Sequence, residues 1–113
     1  MLYQGSCHCG NVAFEVEGHV DAVVACNCSI CSRKGALLWA VPRDRLRLLT
    51  PESRAGTYTF HQHVFQHRFC PTCGIHPYAE THGDEPMAFV NVRCLEGIDP
   101  ATIPVLAFDG KSA

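Results

Sequence analysis

The chain has 113 residues, 47% of them hydrophobic and 18% charged, and nine basic against eleven acidic side chains leave a formal net charge of −2. A length near one ordinary domain and this composition exclude a disordered, collagen-like or low-complexity chain. The mildly acidic balance argues against nucleic-acid or membrane-surface binding, which select a basic face, and no apolar run reaches the ~18–20 residues of a membrane helix.

The opening Met1-Leu2-Tyr3-Gln4-Gly5 lacks the basic and apolar regions of an export signal, so the expected compartment is the cytoplasm. Asn11 to Glu17 alternates apolar and mostly polar positions, the pattern of a half-buried strand ending at Gly18. Asp21 to Ala25 and Ala36 to Val41 are short apolar runs of strand length. Between them, Ser29 to Lys34 has room for about one helical turn, closed by Gly35. Leu46 to Leu49, Thr57 to His61 and Val64 to Phe69 read as further strands, with Pro51 and Gly56 as punctuation. Pro77, Gly83 and Pro86 interrupt the next stretch. Met87 to Val92 and Thr102 to Phe108 complete the series, and Pro104 assigns the last strand to a sheet edge. The expected fold is therefore mainly β, a single domain over residues 1–113 with cysteines on its connections.

Eight cysteines are the outlier of the composition. In an oxidising compartment they would read as disulfides, and in a reducing one as metal ligands or redox groups. Their grouping selects metal: Cys7-His8-Cys9, then Cys26, Cys28 and Cys31, then Cys70-Pro71-Thr72-Cys73, with Cys94 alone. Short spacings let one turn supply two thiolates to a tetrahedral zinc ion. Cys70-Pro71-Thr72-Cys73-Gly74 has the form of a zinc knuckle, with Gly74 free to take the positive φ such a turn requires. A knuckle supplies two of four ligands, and Cys7 and Cys9 are the natural second pair.

The middle cluster, with three cysteines in six residues, fills three of four zinc positions. The fourth is open to water, a side chain or an incoming thiol, or is closed by a histidine or Cys94. Three thiolates make zinc a poor activator of water and suit a soft, exchangeable centre that takes the proton off a binding thiol. Seven thiolates around two zinc ions would make the chain more acidic still, further from nucleic-acid binding.

Cys94 reads most simply as a buried hydrophobe. His61, His63 and His67 share a parity and would line one face of an uninterrupted strand, where they could complete or orient the three-thiolate site; hydrogen-bonded or surface histidines are the plainer reading, and the same holds for His76. His8 is a spacer. Arg33 and Lys34 follow Cys31 and could pair with the carboxylates of a small acidic ligand, or simply sit on a solvated turn. Trp39 and Phe60 read as core.

With these motifs in place, the sequence resembles the glutathione-dependent formaldehyde-activating enzyme family, which also includes centromere protein V. The resemblance runs from Gly5-Ser6-Cys7-His8-Cys9-Gly10 through Cys26-Asn27-Cys28-Ser29-Ile30-Cys31 and Phe69-Cys70-Pro71-Thr72-Cys73-Gly74 to Val92-Arg93-Cys94-Leu95-Glu96-Gly97. It implies a β-tent of small antiparallel sheets stapled by zinc. It also implies Cys7, Cys9, Cys70 and Cys73 as structural zinc ligands, with Cys26, Cys28 and Cys31 as ligands of a second, labile zinc beside a glutathione site. The implied reaction joins formaldehyde and glutathione to S-hydroxymethylglutathione, a carbon–sulfur lyase reaction run in reverse. The expected protein is a small zinc enzyme acting on a thiol adduct of an aldehyde, with Cys26, Cys28 and Cys31 catalytic and Arg33 and Lys34 holding the thiol cofactor. The alternatives are a non-catalytic, zinc-stabilised protein-binding module and a redox or zinc-buffering protein.

Overall fold

A computed structural model of the protein describes residues 1–112. The alternation read at Asn11 to Glu17 forms strand β2 (Ala13–Glu17), which buries Phe14 and Val16 and leaves Glu17 exposed. Antiparallel partners flank it, β1 (Leu2–Ser6) on one side and β5 (Leu46–Leu48) on the other. β1 was not expected, because Leu-Tyr-Gln-Gly-Ser has no clean alternation; its ladder with β2, from Leu2 opposite Glu17 to Ser6 opposite Ala13, makes it a strand.

The other strands form a seven-stranded sheet in the order β10-β3-β4-β9-β8-β7-β6. They are β3 (Val23–Cys26), β4 (Leu38–Pro42), β6 (Gly56–Tyr58), β7 (Gln66–Phe69), β8 (Tyr78–Glu80), β9 (Met87–Asn91) and β10 (Val105–Phe108). Every neighbouring pair is antiparallel except β10 with β3, which is parallel. The expectation of small antiparallel sheets thus holds for the three-stranded sheet, while the second is larger and has a parallel edge. β10 lies at that edge, as Pro104 required, with the Val23 N–H donating to the Pro104 carbonyl at 3.0 Å. β8 escaped the sequence reading because Tyr78, Ala79 and Glu80 are all buried, so no alternation marks them.

The helical turn expected between β3 and β4 is α1 (Ser29–Lys34), ended by Gly35 at φ 66° with its N–H on the Cys31 carbonyl. Among the described residues, no helix is long and apolar enough to cross a membrane. The strand expected over Thr57 to His61 stops at Tyr58, and β7 begins at Gln66. A turn intervenes, with His61 at φ 58° and His63 at φ 57°. The histidine row is therefore not formed: His61 and His63 are exposed, and His67 alone is buried on β7.

Both sheets contribute to one core, in which Phe14, Val16 and Leu46 meet Val23, Trp39, Val41, Tyr78 and Val90. The Phe14 and Tyr78 rings pack at 5.7 Å between centroids, and Tyr3 meets Trp39 edge-on at 5.8 Å. Trp39 is core, as expected. Beside Tyr78, the buried Glu80 carboxylate faces Arg43 Nε at 3.6 Å, Arg68 Nη1 at 3.8 Å and His82 Nε2 at 3.2 Å. Removing it leaves the buried Arg68 guanidinium without this counter-charge. Glu80→Ala is accordingly expected to cost about 3 kcal/mol, read from the midpoint of a denaturant titration, with metal content unchanged.

Candidate metal centres and the adjoining groove

The first thiol cluster forms where two turns meet. Cys7 and Cys9 follow β1 on a turn closed by the Cys7 N–H donating to the Val12 carbonyl at 2.9 Å. Cys70 and Cys73 follow β7 on a knuckle closed by Gly74 N–H to Cys70 O at 2.8 Å and Cys70 N–H to Ile75 O at 2.9 Å, with Gly74 at φ 81°. The four sulfurs lie within 4.8 Å of one another. A zinc–sulfur bond of about 2.3 Å sets the edge of a tetrahedron of sulfurs at about 3.8 Å. The measured separations are 3.8 Å for Cys7–Cys9 and 3.6 Å for Cys9–Cys70, so the donor set fits a tetrahedral soft metal.

Backbone and amide donors prepare these sulfurs for negative charge. Val12 N–H points at Cys7 Sγ at 3.3 Å, Cys73 N–H at Cys70 Sγ at 3.4 Å, and Asn11 Nδ2 at Cys70 Sγ at 3.8 Å. The Cys73 N–H is the main cause that draws the Cys70 thiol down to about 6. The Ile75 N–H likewise holds Cys73 below the ordinary thiol value. The Asn11 N–H favours the Cys9 thiolate too, but burial and the neighbouring sulfurs outweigh it and push that thiol up to about 11. Four thiols contending for charge in one place form a group whose mutual repulsion a bound cation would relieve. Cys94 lies outside the cluster. Burial, with Cys7 and Cys73 nearby, pushes its thiol up to about 11, and Asn91 Nδ2 donates to its sulfur at 3.7 Å.

The second cluster is built on α1. Cys26 ends β3, Cys28 is the residue that caps α1, and Cys31 lies buried one turn later. Their sulfurs also fall within 4.8 Å of one another, and among the described residues no fourth Cys, His, Asp or Glu ligand atom joins them at that distance. Burial acts to raise the Cys28 thiol, yet the Cys31 N–H and the neighbouring sulfurs hold it below the ordinary value. Burial, followed by Cys28 and Cys26, pushes Cys31 up to about 12. The cluster therefore sets one thiol that favours the thiolate beside one that resists ionisation. Of the closures considered for this cluster, Cys94 is placed beside the first cluster instead, and the histidines stay outside.

A chain segment missed by sequence reading clasps this cluster. Asn27 Nδ2 donates to Asp109 Oδ1 at 3.0 Å, and Asn27 Oδ1 accepts from the Lys111 N–H at 2.9 Å. Asn27 N–H in turn donates to the Phe108 carbonyl at 3.2 Å. A β-carbon on Gly110 would lie 2.5 Å from Cys26 Sγ, so glycine alone lets this strap lie on the sulfur. Gly110→Ala is expected to lift the strap and speed metal release from this cluster by about tenfold, with the first cluster unaffected. Timed transfer of metal to a chromophoric chelator measures it.

Past the cysteines, the last turn of α1 brings Arg33 and Lys34 onto a groove of about 570 Å³ that Tyr58, Phe69, His76 and Asn91 also line. Arg33 Nη1 donates to the Ser29 carbonyl at 2.7 Å, which fixes its guanidinium. Lys34 Nζ lies 3.2 Å from His67 Nδ1. Burial, then Lys34 and His76, lowers His67 to about 4, so its ring is neutral and accepts from the ammonium. Burial also lowers Lys34, with Cys31 and Cys28 pulling the other way. No spacing rule links residues 34 and 67; only the pairing of β7 between β6 and β8 brings His67 to the helix.

The mainly β scaffold thus carries a four-thiol cluster and a three-thiol cluster, each able to hold a metal ion, beside a cationic groove. A model of the family described as glutathione-dependent formaldehyde-activating enzyme matches residues 2–107, and the chain belongs to that family. A crystal structure of a Rhodobacter sphaeroides protein is similar at 32% identity and a TM-score of 0.80, covering 91% of this chain and 99% of that one.

Proposed function

We propose that the protein is a zinc-dependent enzyme of carbon–sulfur bond chemistry, acting on an adduct between glutathione, or a similar thiol, and formaldehyde or a related electrophile. The observation that carries this reading is the layout of α1, with three convergent thiols at its start and two cations on a groove at its end. Family membership supports the thiol and the aldehyde. Cys7, Cys9, Cys70 and Cys73 would hold one zinc as a staple between the turns after β1 and β7. Cys26, Cys28 and Cys31 would hold a second, labile zinc.

A zinc ion in the second cluster would supply a soft Lewis acid that favours the thiolate form of an incoming thiol. Arg33 and Lys34 bind that molecule's carboxylates, and the Arg33–Ser29 and Lys34–His67 contacts keep both cations aimed at the groove. In the forward reaction a bond forms between the thiol sulfur and the aldehyde carbon, and the carbonyl π pair moves to oxygen. The proton lost from sulfur ends on that oxygen, giving the hydroxymethyl thioether. The strap from Phe108 to Lys111 shields one side of the cluster from water.

The test is consumption of formaldehyde and glutathione above the spontaneous rate. Activity in the zinc-loaded protein supports the reading. An unchanged rate in the same sample favours the second reading, a zinc-stabilised protein-binding module, for which the exposed apolar side chains of β10 speak.

A further inference from the structure

A second groove, of about 380 Å³, joins the first across a shared wall of Ile30, Arg33 and Tyr58 and adds Ser29 and Phe60. Ser29 follows Cys28 directly, so this groove lies at the cysteine end of α1, while the larger one runs towards Lys34 and His76. Its aromatic wall is layered: Tyr58 stacks on Phe60 at 5.8 Å and 20°, and Phe60 on His67 at 5.6 Å and 27°. Phe60 was expected to be core, but it is only half-buried and faces this groove. The turn that follows Phe60 holds two histidines at positive φ, a conformation that costs energy at each, secured by His63 N–H to Phe60 O at 2.9 Å and His63 Nδ1 to Thr59 Oγ1 at 2.7 Å.

A one-carbon aldehyde has nothing to place in such a groove, since a molecule of that size takes about the 30 Å³ of a water. Stacked rings beside a fixed guanidinium instead suit a flat, polarisable group, which can lie against Tyr58 and under Arg33. We propose that this smaller groove is a subsite for the side group of the electrophile, and that this group is planar and aromatic. The proposal rests on the thiol-adduct reading above and extends its electrophile from formaldehyde to aromatic aldehydes. The thiol would occupy the larger, cationic groove. Its sulfur adds to the aldehyde carbon near Cys28, the carbonyl oxygen takes the proton that sulfur loses, and the ring stays on Tyr58.

The experiment is calorimetric titration of the zinc-loaded protein with S-benzylglutathione and S-methylglutathione, and separately with benzoate and acetate. Tyr58 is half exposed at the tip of an edge strand, so Tyr58→Leu keeps the fold and an apolar side chain but removes the ring. The benzyl conjugate is expected to bind about tenfold more tightly than the methyl one, and Tyr58→Leu, which also touches the larger groove, to weaken the benzyl conjugate several-fold more than the methyl one. Equal binding of the two conjugates overturns the subsite and leaves the thiol reading standing. Benzoate binding that depends on Tyr58, with neither conjugate bound, supports the subsite and removes the thiol reading. Binding of none of the probes overturns both.

Discussion

Cys70→Ser is expected to be the most damaging single substitution in the chain. Cys70 is fully buried, receives hydrogen bonds from Cys73 N–H and Asn11, and stands 3.6 Å from Cys9 across the join between the two turns. A structural zinc is worth ~10–16 kcal/mol of binding free energy in small zinc modules, and that energy is folding energy. The two-sheet core of this chain would retain some structure without it, so a loss of at least about 4 kcal/mol is expected, or roughly 15–30 °C in the thermal midpoint. Thermal unfolding followed alongside zinc content measures both. A midpoint within a few degrees of the parent would remove the first cluster from its role as a staple.

Cys28→Ser is expected to behave in the opposite way. Cys28 caps a short helix at the surface and ties no distant segments together, so its loss should barely move the thermal midpoint. The second cluster, however, falls to two thiols and should lose its metal. Turnover of the thiol adduct should drop by at least about 10³-fold, with the first zinc retained. The contrast between the two variants separates a cluster that holds the fold from one that does chemistry. Unfolding of the Cys28→Ser protein would merge the two roles.

The thiol clusters were legible from spacing alone because their ligands sit in pairs and a trio within a few residues, where local geometry decides which sulfurs converge. The pairing of Cys7 and Cys9 with Cys70 and Cys73 was legible because a knuckle lacks two ligands and Cys7 and Cys9 form the other cluster of just two, the middle one holding three. Gly35 and Pro104 announced their structural roles through backbone constraints that hold in any fold. What stayed hidden depends on tertiary neighbours. Gly110 lies 84 residues from Cys26 and declares nothing until the parallel edge strand brings it over the sulfur. His67 shares a parity with His61 and His63, but parity means one face only on an unbroken strand, and the turn at those two histidines ends that relation. β8 was hidden for a related reason, since burial on both faces removes the alternation that marks a strand.

The central claim is that the second cluster is an exchangeable site that responds to a thiol. Zinc stoichiometry tests it most directly, by elemental analysis of anaerobically purified protein with and without excess glutathione. Close to two zinc ions per chain are expected alone, falling towards one in large excess glutathione, because a thiol that can take the open position of the labile ion also competes with Cys26, Cys28 and Cys31 for it. Two ions unmoved by glutathione would contradict it, as would a single ion in both samples.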